Sequence, residues 1–160
     1  MRYEKKICIS AKNVDFLLGR KRIRFRGKYM ILFESTTAKT EYLPEKNMIV
    51  LTQQGKNVGE SLKKCLDIGL DALIKNQAYK WLSDNRFTQS VRGKEDAEWV
   101  NNDWTPRALK AGWKKWALIQ PKSALTSMAE QQFVDFFAEN GIEVKIFDTP
   151  EEGFAWLDTV

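Results

Sequence analysis

The chain of 160 residues contains no histidine. Histidine is the usual general base near neutral pH and the commonest metal ligand in proteins. Its absence excludes nucleophilic catalysis by a Ser-His or Cys-His pair, and it excludes histidine-bound metal ions. The large hydrolase and metalloenzyme classes built on this side chain are therefore removed from consideration.

The sequence also has few cysteines, no long apolar run and no phosphate-binding glycine loop. The two cysteines, Cys8 and Cys65, lack the spacing of a metal site or a disulfide framework. No apolar run is long enough to span a membrane, and no apolar signal segment follows the basic start. Gly55, Gly59 and Gly69 have the wrong spacing for a phosphate loop. We predict a cytoplasmic protein with reduced thiols, no metal and no cofactor.

The positive charge is concentrated at the start of the chain. Residues 1–29 carry ten Lys and Arg against two acids, whereas residues 30–160 carry sixteen against nineteen. This break predicts a basic N-terminal extension, residues 1–29, packed on a main domain of residues 30–160. Its apolar residues, among them Ile7, Phe16 and Ile23, need burial and argue against an independent unit.

The extension contains an alternating basic and apolar stretch that predicts a strand with one basic face. Its candidate polyanion-binding residues are Arg20, Lys21, Arg22, Arg24 and Arg26. They could bind nucleic acid or an anionic membrane surface. The simpler interpretation, which we favour, is that these charges prevent an exposed strand from pairing with another chain.

Strand and helix patterns alternate through the main domain. Lys39–Leu43 and Met48–Thr52 are predicted strands joined by a turn, and the strands Lys80–Ser83, Lys115–Gln120 and Ile142–Ile146 follow with helices between them. Short connections between alternating elements favour parallel strands with right-handed crossovers. We predict an α/β fold with a mixed, mostly parallel sheet, helices packed on it, and antiparallel strands added at the N-terminal side.

Local signals predict how several helices begin, end and pack. Asn76 is expected to end the first long helix in a left-handed conformation. Thr105 is a predicted cap before Pro106, and this pair either begins a short helix or kinks a long one. Thr149 opens a capping box with Glu152. A buried helical stripe is predicted for Ala129, Phe133, Phe136 and Phe137.

A polar triplet follows the strand Lys80–Ser83. In an alternating α/β chain, ligands bind at the carboxyl ends of the strands, so Asp84, Asn85 and Arg86 are the first candidates for a ligand or partner site. Arg86 could grip a phosphate or carboxylate through two hydrogen bonds. The alternative, which we favour, is structural: Asp84 caps its own loop and Arg86 pairs with an acid such as Glu98 or Asp103.

Six tryptophans are many for a chain of this length. Core packing, with each indole N–H donating to an acceptor, is their default role. A minority, Trp99 or Trp113, could instead line a pocket or a dimer surface.

The order of these motifs resembles the STAS superfamily and, more narrowly, its SpoIIAA-like group of small bacterial proteins. The resemblance covers residues 30–160. It depends on the stretch Lys80–Arg86, on Trp99 with Trp104–Ala108 and Gly112, on Lys115–Pro121, and on Phe147–Glu152 before Trp156 and Leu157. It implies a SpoIIAA-like (STAS) fold and a regulatory role exercised through contact with a partner. Trp99 and Arg107 lie among the matching residues and join the ligand or partner candidates.

The chain departs from that superfamily's phosphorylated members. Anti-sigma-factor antagonists carry a serine in an Asp-Ser-Ser-Gly-like turn, whereas the stretch after Arg86 reads Phe87-Thr88-Gln89-Ser90-Val91-Arg92-Gly93. Ser90 is the nearest serine, and its simpler role is that of a solvated loop residue. A kinase-operated switch is therefore not predicted.

Three functions remain open from the sequence. The favoured one is a non-catalytic, STAS-like regulatory or interaction domain with a protein partner or a second copy of itself. The first alternative is a small-ligand domain at the strand edge, through Asp84 and Arg86. The second is a polyanion-binding module that uses the basic extension, although no nucleic-acid motif accompanies it.

Overall fold

A computed structural model describes the backbone of residues 9–10, 14–18, 21–25, 29–89, 93–120 and 127–159. Side chains are described for residues 29–89, 93–120 and 131–159. Within these ranges no helix is long and apolar enough to cross a membrane.

The strands of the described residues form a seven-stranded sheet and a separate pair. The seven strands, in spatial order, are β1 (Ile9–Ser10), β4 (Tyr29–Glu34), β5 (Ala38–Leu43), β6 (Met48–Gly55), β7 (Lys80–Thr88), β8 (Lys115–Ile119) and β9 (Glu143–Phe147). The separate antiparallel pair is β2 (Val14–Leu18) with β3 (Lys21–Phe25). Strands β6 to β9 are parallel to one another, and β1, β4, β5 and β6 pair antiparallel.

The α/β class and the mixed sheet are thus as predicted, with one correction. Within the seven-stranded sheet, three of the described pairings are parallel and three are antiparallel, so the sheet is not mostly parallel. The reason is that β1 adds a third antiparallel pairing beyond the predicted hairpin of β5 and β6. The central prediction is confirmed: Leu82, Leu118 and Val144 lie on neighbouring parallel strands.

In the described part of the chain, five α-helices accompany the sheet: α1 (Gly59–Asn76), α2 (Lys94–Trp99), α3 (Thr105–Lys110), α4 (Ser127–Glu139) and α5 (Pro150–Leu157). A π-helical segment, Val100–Trp104, joins α2 to α3 without a break. Short 3-10 geometry occurs at Pro44–Lys46 between β5 and β6.

The sheet separates two cores because side chains alternate along each strand. Ile49 and Leu51 of β6 pack with α1 and the aromatic residues, whereas Met48 and Val50 face the opposite side. The first core also takes in α3 and α4. The second is covered by Phe154 and Leu157 of α5, both almost fully buried.

Several local predictions are corrected by packing. The left-handed residue after α1 is Gln77, with φ 52°, and Asn76 stays helical with its amide donating to the Ala72 carbonyl. Thr105 is not a cap, since Trp104 and Thr105 both have right-handed helical angles. Phe136 is 54% exposed and therefore outside the buried stripe. The capping box of α5 is confirmed, because Thr149 accepts a hydrogen bond from the Glu152 N–H.

Strand β7 is longer than predicted. It runs through Asp84, Asn85 and Arg86 to Thr88 instead of ending at Ser83. Its pairing with β6 slips here, because Thr52 opposes Asp84 and Gln54 opposes Phe87, which leaves two residues of β7 opposite Gln53. This is a β-bulge, a device that re-aims side chains beside functional sites.

Candidate functional site

Asp84 and Arg86 form a closed ion pair within β7. The Arg86 guanidinium donates from Nε at 2.9 Å and from Nη2 at 2.8 Å to the two oxygens of Asp84. The Arg86 backbone N–H also donates to Asp84 Oδ1 at 3.2 Å. Asp84 is 2% exposed, and the acid paired with Arg86 is Asp84 itself, neither Glu98 nor Asp103.

This pairing decides what the two side chains can do. Both carboxylate oxygens already accept from Arg86, whose guanidinium also lies 5.1 Å from the Phe87 ring centroid. A two-point grip on an external phosphate through this Nε–Nη2 edge would require Arg86 to release Asp84, leaving a buried carboxylate without its partner. We therefore assign this ion pair a structural role at the carboxyl edge of the sheet.

Asn85, the middle residue of the predicted triplet, belongs to a different feature. It lines a pocket of about 480 Å³ above the sheet, between the π-helical segment and α4. The sheet residues beneath include Gln53, Trp81, Ser83 and Trp116. The bulge in β7 lies at Asn85, opposite Gln53, and so forms part of this floor.

Aromatic side chains make most of the pocket wall. The four tryptophans are Trp81, Trp104, Trp113 and Trp116, and the three phenylalanines of α4 are Phe133, Phe136 and Phe137. Their rings pack edge-on: the centroids of Trp81 and Trp104 are 5.3 Å apart at 81°, and those of Trp104 and Trp113 are 5.4 Å apart at 68°. Mutual packing of this kind holds the rings in fixed orientations.

Gly69 of α1 explains how Trp81 fits beneath the pocket. A Cβ at this position would collide with the outer ring of the Trp81 indole. The helix can therefore lie directly on the indole only because residue 69 has no side chain.

Hydrogen bonds link three side-chain amides in sequence, from Asn57 just after β6, through Gln53, to Asn85 in the pocket. The Asn57 amide donates to Gln53 Oε1 at 2.8 Å, and the Gln53 amide donates to Asn85 Oδ1 at 2.8 Å. Thr37 donates to Asn57 at 3.4 Å and starts the chain. The Asn57 side chain therefore belongs to this hydrogen-bond network, and the N-cap position of α1 is Val58.

Two indole N–H groups in the pocket wall lack an acceptor. Trp104 and Trp113 are 4% and 3% exposed, and neither Nε1 has a hydrogen-bond partner among the described residues. Trp116 differs, because its Nε1 donates to Ser83 Oγ at 3.1 Å. A buried donor without an acceptor costs about 1–3 kcal/mol. Neither nitrogen is accessible from the pocket, because less than 1 Å² of each is exposed.

The other two candidates from the resemblance, Trp99 and Arg107, lie on the outer surface of the α2–α3 helix and are not among the pocket-lining residues. Arg107 donates to Asp67 at 2.8 Å and to Asp103 at 2.6 Å, and its guanidinium lies 5.9 Å from the Trp99 ring. The hydrogen bond that Arg107 donates to Asp67, reinforced by those it donates to Asp103, raises the pKa of Arg107. This group of residues ties α1 to the α2–α3 helix.

The polyanion candidates fall largely outside the described residues. Only the backbone of Lys21, Arg22 and Arg24 is described, within β3, where they pair with Leu18, Leu17 and Asp15. Arg20, Arg26 and Ser90 lie outside the described residues. Their role stays a prediction.

Sequence reasoning placed Asn85 and Trp113 at a site but missed Trp104, Ser83 and the wall formed by α4. The spacing of Trp104 from Ala97 and Val100 indicates only a helix face. The pocket depends on the π-helical segment and on the bulge, and neither has a signal in the sequence strong enough to predict it.

Comparison with known proteins gives no further guidance. No protein-family model, no curated protein and no solved structure matches this chain.

Proposed function

We propose that this chain is a non-catalytic regulatory domain of the STAS-like class that binds a small molecule in its aromatic pocket. The observation that carries the proposal is an open pocket of about 480 Å³ whose wall combines seven aromatic side chains with a few polar ones, among them Ser83 and Asn85. The volume lies in the range that small-molecule sites occupy, and apolar walls with a few polar groups are typical of them.

The composition of the wall supports binding over catalysis. The described residues that line the pocket include no Asp, Glu, Lys, Arg or Cys. General acid–base or nucleophilic chemistry would need such a group within reach of the substrate. Hydrogen-bond donors fixed among aromatic rings instead serve to hold and orient a ligand.

The position of the pocket supports a regulatory role. Its mouth is bordered by Asn101 of the π-helical segment and by Gln132 and Phe136 of α4, all three exposed. A ligand that contacts both the π-helical segment and α4 would fix the distance between them. A protein partner that binds this surface would then have different affinities for the ligand-bound and the ligand-free protein.

The experiment is to identify what the native protein carries. The chain is purified from its own cells without denaturants, extracted with organic solvent, and the extract is analysed by mass spectrometry. A variant that closes the mouth, Asn101→Trp with Gln132→Trp, is purified in parallel. Both positions are exposed, so the bulky rings obstruct the opening without entering the core.

The matched control moves each substitution by one residue, to Asn102→Trp with Gln131→Trp, which are exposed and do not line the pocket. We expect a stoichiometric small molecule in the parent and the control and its loss from the mouth-closing variant. Equal recovery from all three proteins, or no molecule in the parent, would contradict the proposal.

A further inference from the structure

A second concave surface lies where strands β7 and β8 begin. It has a volume of about 490 Å³ and is bordered by the last turn of α1 and by the turn that joins α3 to β8. Its lining residues are Ile74, Gln77, Ala78, Tyr79, Ala111, Gly112 and Lys114. None of them lines the aromatic pocket, so this surface, the amino-edge groove, is a separate feature.

Two lining residues of the groove are large apolar side chains in contact with water. Ile74 is 54% exposed and Tyr79 is 38% exposed. The ammonium of Lys80 lies 5.3 Å from the Tyr79 ring centroid. Burial of such side chains against a partner releases the free energy that their exposure costs. Exposed apolar side chains that share one groove with polar residues around them mark an interaction surface.

The backbone fixes the shape of the groove. Gln77, with φ 52°, ends α1, and Gly112, with φ 98°, lies in the turn after α3. The Tyr79 carbonyl joins the two sides, because it accepts hydrogen bonds from the N–H groups of Lys114 and Lys115, both at 3.0 Å. A groove that is held in this way needs no ordering when a partner binds, which lowers the cost of association.

The charge around the groove is mostly positive. Residues 71–80 and 109–115, which contain all the lining residues, carry five lysines and one acid, Asp71. The other residues of the main domain carry eleven bases and eighteen acids. One of the five, Lys115, takes no part, because its ammonium donates to carbonyl groups at the end of α5. The groove is therefore a basic surface on an acidic domain.

Three of the lysines keep their charge for an external partner. Lys75, Lys110 and Lys114 are exposed, and none has an ion-pair partner among the described residues. Two acids lie near them, Asp71 one turn before Lys75 on α1 and Glu143 beside Lys114, and neither forms a described ion pair with a lysine. The ammonium groups therefore attract carboxylates from outside the domain.

The helix dipole accounts for only part of this pattern. A lysine in the last turn of a helix is stabilised by the partial negative charge there, and this applies to Lys75 and Lys110. It does not apply to Lys114, which lies outside the helices, or to the exposed Ile74 and Tyr79. The combination of positive charge with apolar surface needs another explanation.

We propose that the amino-edge groove binds an acidic segment of a protein partner, with an apolar side chain between Ile74 and Tyr79 and carboxylates against Lys75, Lys110 and Lys114. A partner segment fits better than a membrane, because the apolar side chains line a concave surface that a flat bilayer does not fill. This inference goes beyond the proposed function and does not depend on it, since the groove and the aromatic pocket share no lining residue.

The test measures the binding of three fluorescein-labelled peptides by fluorescence anisotropy at low salt. The first has one central leucine flanked by aspartate and glutamate, the second has serine in place of the leucine, and the third has lysine in place of the acids. Burial of one leucine side chain should make the first bind at least about tenfold more tightly than the second. The third should not bind. Added salt should weaken binding of the first, because it screens exposed charges.

Variants assign the binding to the groove. Ile74→Ser, and separately Lys110→Glu with Lys114→Glu, should each lower the affinity for the first peptide about tenfold, through lost apolar contact and through repulsion of its acids. All three positions are exposed, so the fold is retained, and circular dichroism checks this.

Matched controls make the same changes at exposed positions outside the groove. Phe87→Ser alters an apolar side chain that is 45% exposed near the end of β7. Lys56→Glu with Lys64→Glu reverses two exposed lysines before and within the first half of α1. Neither control should change the affinity for the first peptide. An equal loss of affinity in the groove variants and in the controls would overturn the proposal, as would equal affinity for the leucine and serine peptides.

Vesicles of phosphatidylcholine and phosphatidylserine test a membrane as the occupant. Sedimentation with these vesicles that is lost in Lys110→Glu with Lys114→Glu, together with no peptide binding, would replace the protein partner by a membrane surface. Failure of both the peptides and the vesicles to bind would overturn the docking site altogether. Recovery of a small molecule from the aromatic pocket is measured separately, so failure of this inference and failure of the proposed function are distinguishable.

Discussion

Asp84 and Asn85 are neighbours on β7 with different surroundings. Asp84 is buried with Arg86 in the ion pair, whereas Asn85 lines the pocket and continues the amide chain. The sequence drew attention to this triplet because it follows a predicted strand. It could not show that the strand continues through the triplet with a bulge, because that depends on the register with β6.

Removing the Asp84 carboxylate should destabilise the protein without affecting the pocket. Asp84→Ala leaves Arg86, itself 18% exposed, without its two hydrogen bonds, which should lower the free energy of unfolding by about 1–3 kcal/mol. The amount of small molecule recovered from the purified variant should match that from the parent. Urea denaturation and mass spectrometry on the same variant measure both effects.

The control is Glu98→Ala, which breaks the exposed pair between Lys94 and Glu98 at 3.8 Å and should change stability by less than about 1 kcal/mol. An Asp84→Ala protein that melts like the parent but no longer carries the small molecule would reverse the assignment of the two features.

Glu41 gives the fold a dependence on pH. The residue is fully buried on β5, and burial raises its pKa above the ordinary 4.5 although Lys39 lies 2.7 Å away and acts in the opposite direction. A group that binds protons more readily in the folded protein favours folding at low pH. Its contribution is therefore present below 4.5 and is lost as the pH rises through the raised value.

The substitution Glu41→Gln should remove the loss of stability that ionisation of Glu41 causes at higher pH. Relative to the parent, the variant should become progressively more stable as the pH rises above 4.5, and the difference should level off once Glu41 is ionised. Urea midpoints across this range measure it. Glu45→Gln, the same change at an exposed position, separates burial from the removal of one negative charge; an identical profile for the two variants would contradict the account.

At the scale of elements, the π-helical segment accounts for the shape of the pocket wall. The Thr105 N–H donates to the Val100 carbonyl, five residues back. Pro106 follows at once, and a proline has no N–H and its ring clashes with the carbonyl four residues before it in an α-helix. A wider turn before Pro106 relieves that clash, so the helix continues from α2 to α3 without breaking.

Deleting Asn102, an exposed residue of the segment, should force Pro106 into α-helical geometry. We expect a loss of roughly 3 kcal/mol in unfolding free energy. The same deletion combined with Pro106→Ala should recover most of that stability, because alanine restores the missing donor and removes the clash. If the protein that lacks only Asn102 is as stable as the parent, the wide turn does not depend on the proline.

The elements differ in how far they could be predicted. The start of α5 depends on Thr149, Pro150 and Glu152 within one turn, and such local chemistry is visible in a sequence. The end of α1 is set by Gln77, whose N–H bonds to the carbonyls of Ile74 and Leu73, and not by the preceding asparagine. Phe136 fits the apolar spacing of α4 yet lies at the pocket mouth, because periodicity does not tell which neighbour is present.

At the scale of the whole molecule, the pocket exists because the two faces of the sheet are covered differently. The helix α5 lies across the second core, where Gly153 allows close contact with Ile119 and Ala117. On the other face, α1, the α2–α3 helix and α4 surround the floor of β6, β7 and β8. The alternation of elements predicted this layered arrangement, but the gap between α4 and the π-helical segment arises from side-chain volumes that meet only in the folded chain.

The most direct measurement is native mass spectrometry of three proteins purified from their own cells: the parent, the mouth-closing variant Asn101→Trp with Gln132→Trp, and the control Asn102→Trp with Gln131→Trp. We expect one bound small molecule in the parent and in the control, and none in the mouth-closing variant. Equal occupancy of all three proteins, or a parent without a bound molecule, would contradict the claim that this pocket is the binding site.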